Sequence, residues 1–462
     1  MPEPPASAFR GSFRDPSGEV FREGGVYFRR LREAARPAYE RLMQSGLYQS
    51  LVGEGLLIPH EELAGSAAEG IYKILRPEQV AFISYPYEWS FGQFRQAARA
   101  TLRIQELSLR SGLSLKDASA YNIQFHRGRA VLIDTLSFEP YEEGRPWIAY
   151  GQFARHFLAP LALMRYRDAR LSGLLRVHMD GVPLDLATRL LPASLALRNP
   201  TLWLHLRLQA SQRRPPGAVD PGPERYRLSR QKLGLLLEQL SSLVEKMAPP
   251  QQASVWSTYY DQDHNYSPAA WAEKVRCVER WTSDLKPGMV WDLGANTGSF
   301  ARLAARAGAF VVALDAEPGI IEEIWRESAR SGTANLLPLR MDLANPSPAL
   351  GWAGEERLSL DERGPADLIL ALALVHHLAI SNNVPLESIV RWFARIGKAA
   401  IVEFAPPDDT QVQRMLRAHG GDFSGYTQDR FEKALVERFS VLDQVRLPDS
   451  HRVLYLLQSH RR

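Results

Sequence analysis

The sequence has a single cysteine and no long apolar run. With only Cys277 among 462 residues, neither an intrachain disulfide nor a cysteine-based zinc site is available. No stretch of about 18 apolar residues is present that could span a bilayer. The opening Met1-Pro-Glu-Pro-Pro lacks the basic-then-apolar pattern of a secretion signal. We therefore expect a soluble, cytoplasmic protein with no membrane span.

Lysine is scarce, and no block of about five or six consecutive basic residues occurs. The 56 basic residues, mostly arginine, nearly balance 52 acidic ones and leave a formal net charge of +4. Because this basic charge is diffuse, it argues against nucleic acid as a partner. The apolar fraction of 45% is ordinary, and the length predicts two or three domains.

The distribution of turns and linkers predicts three segments. Residues 1–210 combine strand patterns with a helical extension, and residues 256–462 alternate strand with helix. Between them, residues 211–255 contain a Pro- and Gly-rich linker and an amphipathic connecting helix. We expect an α+β domain at the N-terminal end and an α/β domain with a parallel sheet at the C-terminal end.

A strand followed by a glycine-rich turn lies near the start of the C-terminal segment. Val290-Trp-Asp292-Leu leads into Gly294-Ala-Asn296-Thr-Gly298 and then into helical spacing. Glycine adopts a positive φ at little cost, and asparagine tolerates it best among the other residues. Such a turn brings backbone N–H groups against a ligand, and Asp292 can hold a cationic or hydroxyl-bearing part of it. The spacing is neither a dinucleotide motif nor a P-loop.

Two further acids follow predicted strands. Phe310–Asp315 reads as the second strand and Leu336–Met341 as the third, which runs into Asp342. Because the carboxyl ends of parallel strands meet at one edge of an open sheet, these acids should lie near the glycine-rich turn. The carboxylate of Asp315 can accept hydrogen bonds from both hydroxyls of a ribose.

This arrangement resembles the class I S-adenosylmethionine-dependent methyltransferases, although Asn296 stands where that family usually has glycine. The resemblance implies S-adenosylmethionine as the cofactor, no metal, and a Rossmann-like seven-stranded sheet with an antiparallel last strand. It implies that Asp342 faces the adenine amino group. The segments Glu403-Phe-Ala-Pro-Pro-Asp-Asp and Phe423-Ser-Gly-Tyr-Thr-Gln are similar to methyltransferases of the nodulation protein NoeA type. The cofactor-binding residues that it implies are Asp292, Gly294, Asn296, Gly298, Asp315, Asp342, Leu343 and Ala373.

Two adjacent histidines are the candidate catalytic residues. They follow the apolar run Asp367–Val375, which predicts a strand buried on both faces. His376 or His377 can serve as a general base because the unperturbed pKa of imidazole lies near neutrality. Alternatively, one packs in the sheet and the other caps a loop. The expected acceptor is an oxygen or nitrogen atom of a small-molecule or glycan-like substrate, and oligomeric state stays open.

The N-terminal segment contains a pattern that resembles the catalytic loop of kinase-like folds. Asp117, Asn122 and Asp134 occupy the positions that the resemblance assigns to the substrate-facing acid and the two magnesium ligands. The loop lacks the preceding His-Arg and the Phe-Gly after its second acid, and no clear phosphate-pairing lysine is present. We expect a degenerate kinase-like fold.

Two other interpretations stay open at this point. The protein could be a kinase-like binding or scaffold protein with a regulatory S-adenosylmethionine-binding domain, or a methyltransferase for RNA or a ribosomal protein. The aromatic segment Trp256–Tyr266 could fold over the pocket as a lid or pack as a docking strap.

Overall fold

A computed structural model of the chain describes residues 7–8, 10–63, 70–211, 228–250 and 266–460. The chain divides into two compact units. Unit 1 comprises Met1–Gln251 with Leu350–Arg357, and unit 2 comprises Gln252–Ala349 with Leu358–Arg462. Within the described ranges, no helix is both long and apolar enough to cross a membrane. The possible lid at Trp256–Tyr266 falls outside the described residues except for Tyr266.

Unit 1 begins with a five-stranded antiparallel sheet of order β1-β2-β3-β5-β4. A hairpin joins β2 to β3 through Gly24 and Gly25, both at positive φ. Two helices, α1 and α2, follow β3 in the chain, and buried Leu31, Tyr39 and Leu75 pack together between sheet and helices. The bounds are β1 Ser7–Ala8, β2 Gly18–Glu23, β3 Val26–Arg32, α1 Arg36–Gln44, α2 Leu47–Gly53, β4 His60–Leu63 and β5 Ile71–Pro77.

The rest of unit 1 is mainly helical. Helix α3, Phe91–Arg110, starts at a capping box in which Ser90 and Gln93 exchange hydrogen bonds. Two short antiparallel pairs follow, β6 with β9 and β7 with β8. The bounds are β6 Leu113–Leu115, β7 Ile123–His126, β8 Arg129–Leu132, β9 Phe138–Pro140, α4 Tyr150–Phe153, a π-helix Ala154–Leu158, α5 Ala159–Tyr166, α6 Leu174–Val177, α7 Leu184–Leu190, α8 Leu195–Arg198, α9 Pro200–Ser211 and α10 Arg230–Lys246.

Unit 2 contains a seven-stranded sheet of order β12-β11-β10-β13-β14-β16-β15, flanked by helices. Strands β10 to β14 are parallel to one another, and β16 is antiparallel to β14 and β15. The predicted seven-stranded Rossmann-like sheet with one antiparallel strand is therefore confirmed. The bounds are α11 Pro268–Leu285, β10 Met289–Leu293, α12 Ser299–Arg306, β11 Phe310–Asp315, α13 Pro318–Ser331, β12 Leu336–Arg340, β13 Ala366–Ala371, a π-helix His377–Ser381, α14 Leu386–Ile396, β14 Gly397–Phe404, α15 Thr410–His419, α16 Gln428–Val436, β15 Phe439–Arg446 and β16 Val453–Ser459.

The fourth strand of this sheet is shorter than its apolar run predicts. Strand β13 ends at Ala371, and Ala373 has a φ of 53°, which breaks the extended chain. The carbonyl of Leu374 then accepts hydrogen bonds from the backbone of His377 and Leu378, so a helical turn begins there. Because the turn is itself buried, its apolar residues look like a continuation of the strand. The prediction of a strand to Val375 is wrong for this reason.

Candidate functional site

A cavity of about 290 Å³ in unit 2 lies where the parallel strands end. Strands β10, β11 and β13 each run into a segment that forms part of its wall, as the rule for open α/β sheets predicts. Asp292 and Gly298 lie in the same turn region but do not line it. The predicted site residues that do line it are Gly294, Asn296, Asp315, Asp342, Leu343, Ala373, His376 and His377.

The glycine-rich turn has the left-handed backbone that its sequence predicts. Gly294, Asn296 and Gly298 have φ values of 75°, 45° and 77°. A Cβ on Gly294 would lie 3.4 Å from Leu374, and one on Gly298 would lie 3.0 Å from Ile324 of α13. Glycine is thus required at position 298 by both conformation and space, and the turn can approach a ligand closely at position 294.

Asp315 is fixed by the turn that it faces. Its Oδ2 atom accepts a hydrogen bond from the backbone N–H of Asn296 at 2.9 Å, and its Oδ1 atom accepts one from Glu317 at 3.0 Å. Burial nevertheless raises the pKa of this carboxyl group. Since each carboxylate oxygen can accept more than one hydrogen bond, a pair of ligand hydroxyls can still bind here.

Asp292 is a buried acid that the protein does not fully satisfy. It is 3% exposed, and its Oδ2 atom has no hydrogen-bond partner within the described ranges. Burial, together with the charge of Asp315, raises the pKa of Asp292 to about 7. A buried carboxylate without a partner is costly, so a donor group on a ligand would stabilise its ionised form.

Asp342, Leu343 and Ala373 complete this side of the cavity. Asp342 lies beyond the end of β12 rather than at it, because the strand stops at Arg340. Its side chain is exposed, and Oδ1 accepts a hydrogen bond from the backbone N–H of Ala344 at 2.9 Å. These residues therefore place one acid and two small or apolar groups beside the turn.

The two histidines lie together in the cavity wall. Their ring centroids are 4.4 Å apart, and His376 is 2% exposed. The Nδ1 atom of His376 is buried without a hydrogen-bond partner in the described part of the chain. Burial lowers the pKa of both rings, and that of His376 lies well below its ordinary value because His377 and Arg452 add to the effect. Both imidazoles are therefore neutral near pH 7.

Five buried side chains form a second feature of the site, which we call the buried ion cluster: Tyr266, Lys274, Glu403, Asp409 and Arg452. Lys274 Nζ donates to Glu403 Oε2 at 2.6 Å, and the Tyr266 hydroxyl donates to Glu403 Oε1 at 2.5 Å. Arg452 donates to both oxygens of Asp409, at 2.7 and 3.1 Å, and to the Tyr266 hydroxyl at 2.6 Å. Tyr266 and Arg452 line the cavity.

Glu403 of the buried ion cluster is ionised despite its burial. Burial alone would raise the pKa of Glu403, but the charges of Lys274 and Arg452 outweigh it and lower that pKa to about 2. Sequence reasoning missed the roles of Lys274, Asp409 and Arg452, since their partners are far apart in the chain. One signal was available: Lys274 interrupts the apolar face that Ala270, Val278 and Trp281 form on helix α11.

In unit 1, the three candidate kinase-like residues have protein partners. Asp117 Oδ1 accepts hydrogen bonds from Ser119 N at 3.0 Å and Gln152 Nε2 at 2.8 Å. The carbonyl of Asn122 accepts one from Ile133 N at 2.9 Å.

Asp134 is held by an ion pair. It pairs with Arg29 of β3 and accepts hydrogen bonds from Leu136 N at 3.0 Å and Ser137 Oγ at 2.5 Å. Arg29 also pairs with Asp15 at 2.9 Å. Across the described residues, no group of three or more His, Cys, Asp or Glu is arranged to hold a metal ion.

Several solved structures resemble part of this chain. Magnesium protoporphyrin IX methyltransferase from Synechocystis PCC 6803, with bound SAH, matches 44% of this chain and 93% of its own at 20% identity, with a TM-score of 0.32. N-methyltransferase NodS from Bradyrhizobium japonicum WM9 matches 42% and 99% at 13% identity, with a TM-score of 0.31. The bifunctional kinase-methyltransferase WbdD matches 48% and 46% at 17% identity, with a TM-score of 0.31.

A relative of known sequence matches nearly the whole chain. No family model matches. The nodulation protein NoeA of Rhizobium meliloti strain 1021 is 34% identical over 458 residues, which cover 97% of this chain and 95% of the relative. An alignment of this length and identity spans both units. The chain therefore belongs to the family of nodulation protein NoeA.

Proposed function

We propose that the protein is an S-adenosylmethionine-dependent methyltransferase that acts on an oxygen or nitrogen atom of a small-molecule or glycan-like acceptor. The observation that supports this most strongly is the grouping of Gly294, Asn296, Asp315 and Asp342 around one cavity at the carboxyl ends of parallel strands. Open α/β sheets bind their ligands at this edge.

The residues present fit such a cofactor. Asp315 presents a rigid carboxylate to a ribose diol, and Asp342 offers an exposed acceptor to an adenine amino group. Gly294 lines the cavity at a φ of 75°, which glycine adopts at little cost, so the backbone there can lie close to a ligand.

The cofactor supplies an activated methyl group, and the protein supplies position. Holding donor and acceptor in line inside the cavity converts the transfer into an effectively unimolecular step. The Leu372 and Leu374 side chains in the cavity wall help to exclude water. A general base is needed only when the acceptor atom must lose a proton.

His376 is the better placed of the two proposed bases. Its buried Nδ1 atom lacks a partner, whereas His377 is less buried. His377, Arg452 and Lys274 favour its neutral form and Glu403 opposes it, with burial the largest influence. Because that pKa lies below 6.5, the imidazole is already able to accept a proton at neutral pH.

Labelled methyl transfer tests this function. Wild-type protein should move tritium from methyl-labelled S-adenosylmethionine into a polar metabolite and oligosaccharide extract. His376→Asn should bind the cofactor normally and lose roughly 100-fold or more in rate. The wild-type rate should reach its plateau below pH 6.5, since burial lowers the pKa of the base. Absence of labelling by wild-type protein argues against the transferase, and a normal rate in His376→Asn argues against this base alone.

Unit 1 supports a separate proposal, a kinase-like fold that does not transfer phosphate. The proposal is supported by a small antiparallel sheet, with helices after β3, that precedes a mainly helical part. Arg29 neutralises Asp134, and Ser137 and Leu136 occupy further acceptor positions of that carboxylate. With these partners in place, Asp134 is poorly disposed to bind magnesium.

A further inference from the structure

The cavity of unit 2 has a second side, formed by different strands from the proposed cofactor side. The glycine-rich turn, Asp315 and Asp342 follow β10, β11 and β12, which form one half of the sheet. The other wall follows β13 and β14 or precedes β16. We call this wall, together with Tyr266 from the segment before α11, the acceptor side, and its polar residues are Tyr266, His376, His377, Asn382, Gln411 and Arg452.

The charges at the acceptor side cancel one another. Arg452 is paired with Asp409 through two hydrogen bonds and lies 3.3 Å from Glu403. Lys274 is completely buried and paired with Glu403 at 2.6 Å. Two cations thus meet two carboxylates, and each carboxylate oxygen has at least one donor. The buried ion cluster therefore has no net charge to offer a ligand.

The histidines add no charge. Burial lowers the pKa of both His376 and His377, so both are neutral at physiological pH. A carboxylate, phosphate or ammonium group placed on this wall would be buried without a counter-charge. Such burial is unfavourable, because the ion loses its hydration and gains no partner.

One polar atom of the wall has no partner. His376 lines the cavity, and its buried Nδ1 atom has no hydrogen-bond partner within the described ranges. A neutral imidazole has one nitrogen that accepts and one that donates. A hydroxyl group can serve either nitrogen, because it is both a donor and an acceptor, and it carries no charge.

On the basis of the proposed function, we propose that the acceptor is a hydroxyl group of an uncharged polyol, such as a neutral saccharide unit, bound against His376 and Arg452. In the transfer, a bond forms between the methyl carbon and the hydroxyl oxygen. The bond from that carbon to sulfur breaks and leaves its electron pair on sulfur. The hydroxyl proton passes to the His376 imidazole and then to solvent.

A matched set of oligosaccharides tests this assignment with the full-length protein. The probes are N-acetylchitotetraose, which is neutral, chitotetraose, which is cationic, and tetragalacturonate, which is anionic. Each is incubated with methyl-labelled S-adenosylmethionine, and cofactor binding is measured in parallel. We expect label in the neutral probe at a rate at least about tenfold above either charged probe, since an unpaired buried ion is costly.

A variant sharpens the result. Asp409→Asn removes one carboxylate and leaves part of the Arg452 charge uncompensated, so labelling of tetragalacturonate should rise relative to the neutral probe. Preferential labelling of a charged probe by wild-type protein overturns the inference, as does labelling of none while the cofactor binds. Absence of cofactor binding instead contradicts the proposed function itself. A variant that binds the cofactor but keeps the wild-type preference also counts against the inference.

Discussion

Asp292 is a buried acid whose ionisation should lower the stability of the folded protein. Its carboxyl group is buried, Oδ2 lacks a partner in the described part of the chain, and its pKa is raised to about 7. An unfolded aspartate has a pKa of about 3.9. Between these values the unfolded chain loses the proton first, so the free energy of unfolding falls as the pH rises.

The substitution Asp292→Asn should remove this decrease in the free energy of unfolding with rising pH. We expect the melting temperature of the variant to rise relative to wild type as the pH is raised from 5 to 8 without ligand. Titrating groups that do not interact with Asp292 cancel in this difference, whereas the interaction between Asp292 and Asp315 is part of the measured effect. Scanning calorimetry at the two pH values measures it. If the difference between the two proteins is the same at pH 5 and pH 8, Asp292 does not titrate as described.

Sequence could identify some site residues and not others, for a physical reason. Asp315 and Gly294 belong to a local pattern, in which a strand, a turn and a strand end follow closely along the chain. Lys274, Asp409 and Arg452 acquire their role through contacts across 43 to 129 residues. Only the folded sheet brings such partners together, so no local sequence pattern predicts them.

At the scale of elements, the turn between β10 and α12 depends on its second glycine. Gly298 has a φ of 77°, and an added Cβ would lie 3.0 and 3.1 Å from two carbons of Ile324. Gly308 has a φ of 98° with nothing within 4 Å of an added Cβ. The two glycines therefore differ in packing while sharing a positive φ.

Alanine substitutions at Gly298 and Gly308 distinguish the cost of a side chain at positive φ from the cost of packing it against α13. Gly298→Ala should unfold more easily than Gly308→Ala, by about 1–3 kcal/mol, because Ile324 or the turn must move. Only Gly298→Ala should also weaken cofactor binding. Chemical denaturation and calorimetric titration measure the two effects. Equal losses of stability in both variants would mean that Ile324 moves at no cost and that packing against α13 does not stabilise the turn.

The strands and helices of unit 2 were largely predictable, while one boundary was not. The predicted strands Phe310–Asp315 and Leu336–Met341 correspond to β11 and, to within one residue, β12, since buried parallel strands consist mainly of apolar residues. The end of β13 was missed because Ala373 adopts a left-handed conformation that its residue type does not favour. Tertiary packing, rather than local preference, decides that boundary.

At the scale of the whole molecule, unit 1 should not respond to nucleotide. Arg29 pairs with Asp134, and Asp117 is already bonded to Ser119 and Gln152. We expect magnesium and ATP to leave the melting temperature of the full-length protein unchanged, whereas tight binding would raise it. A clear rise that Asp134→Asn abolishes, together with ATP hydrolysis, would show a working phosphotransferase site.

The order of elements along the chain predicted two domains of different type, but it did not predict which residues belong to each of them. The change from strand-and-helix mixture to regular alternation after residue 256 is visible in the sequence. Leu350–Arg357 belongs to unit 1 although it follows β12 and precedes β13 in the chain. Contacts that assign a short loop to one unit are not encoded in its own composition, so the sequence could not show this.

Calorimetric titration of the full-length protein with S-adenosylmethionine tests the central claim most directly. Asp315→Asn keeps one carbonyl oxygen for the backbone of the turn but removes the charge offered to a ribose. Asp367→Asn is the matched control, because Asp367 also accepts a backbone hydrogen bond, from Met289 at 2.9 Å, at the opposite end of the sheet.

We expect saturable binding by wild-type protein and by Asp367→Asn. Binding by Asp315→Asn should be at least about tenfold weaker, since a charge-assisted hydrogen bond contributes about 1.5–3 kcal/mol. Absence of binding by wild-type protein, or equal affinity in all three proteins, would contradict a cofactor site at this edge of the sheet.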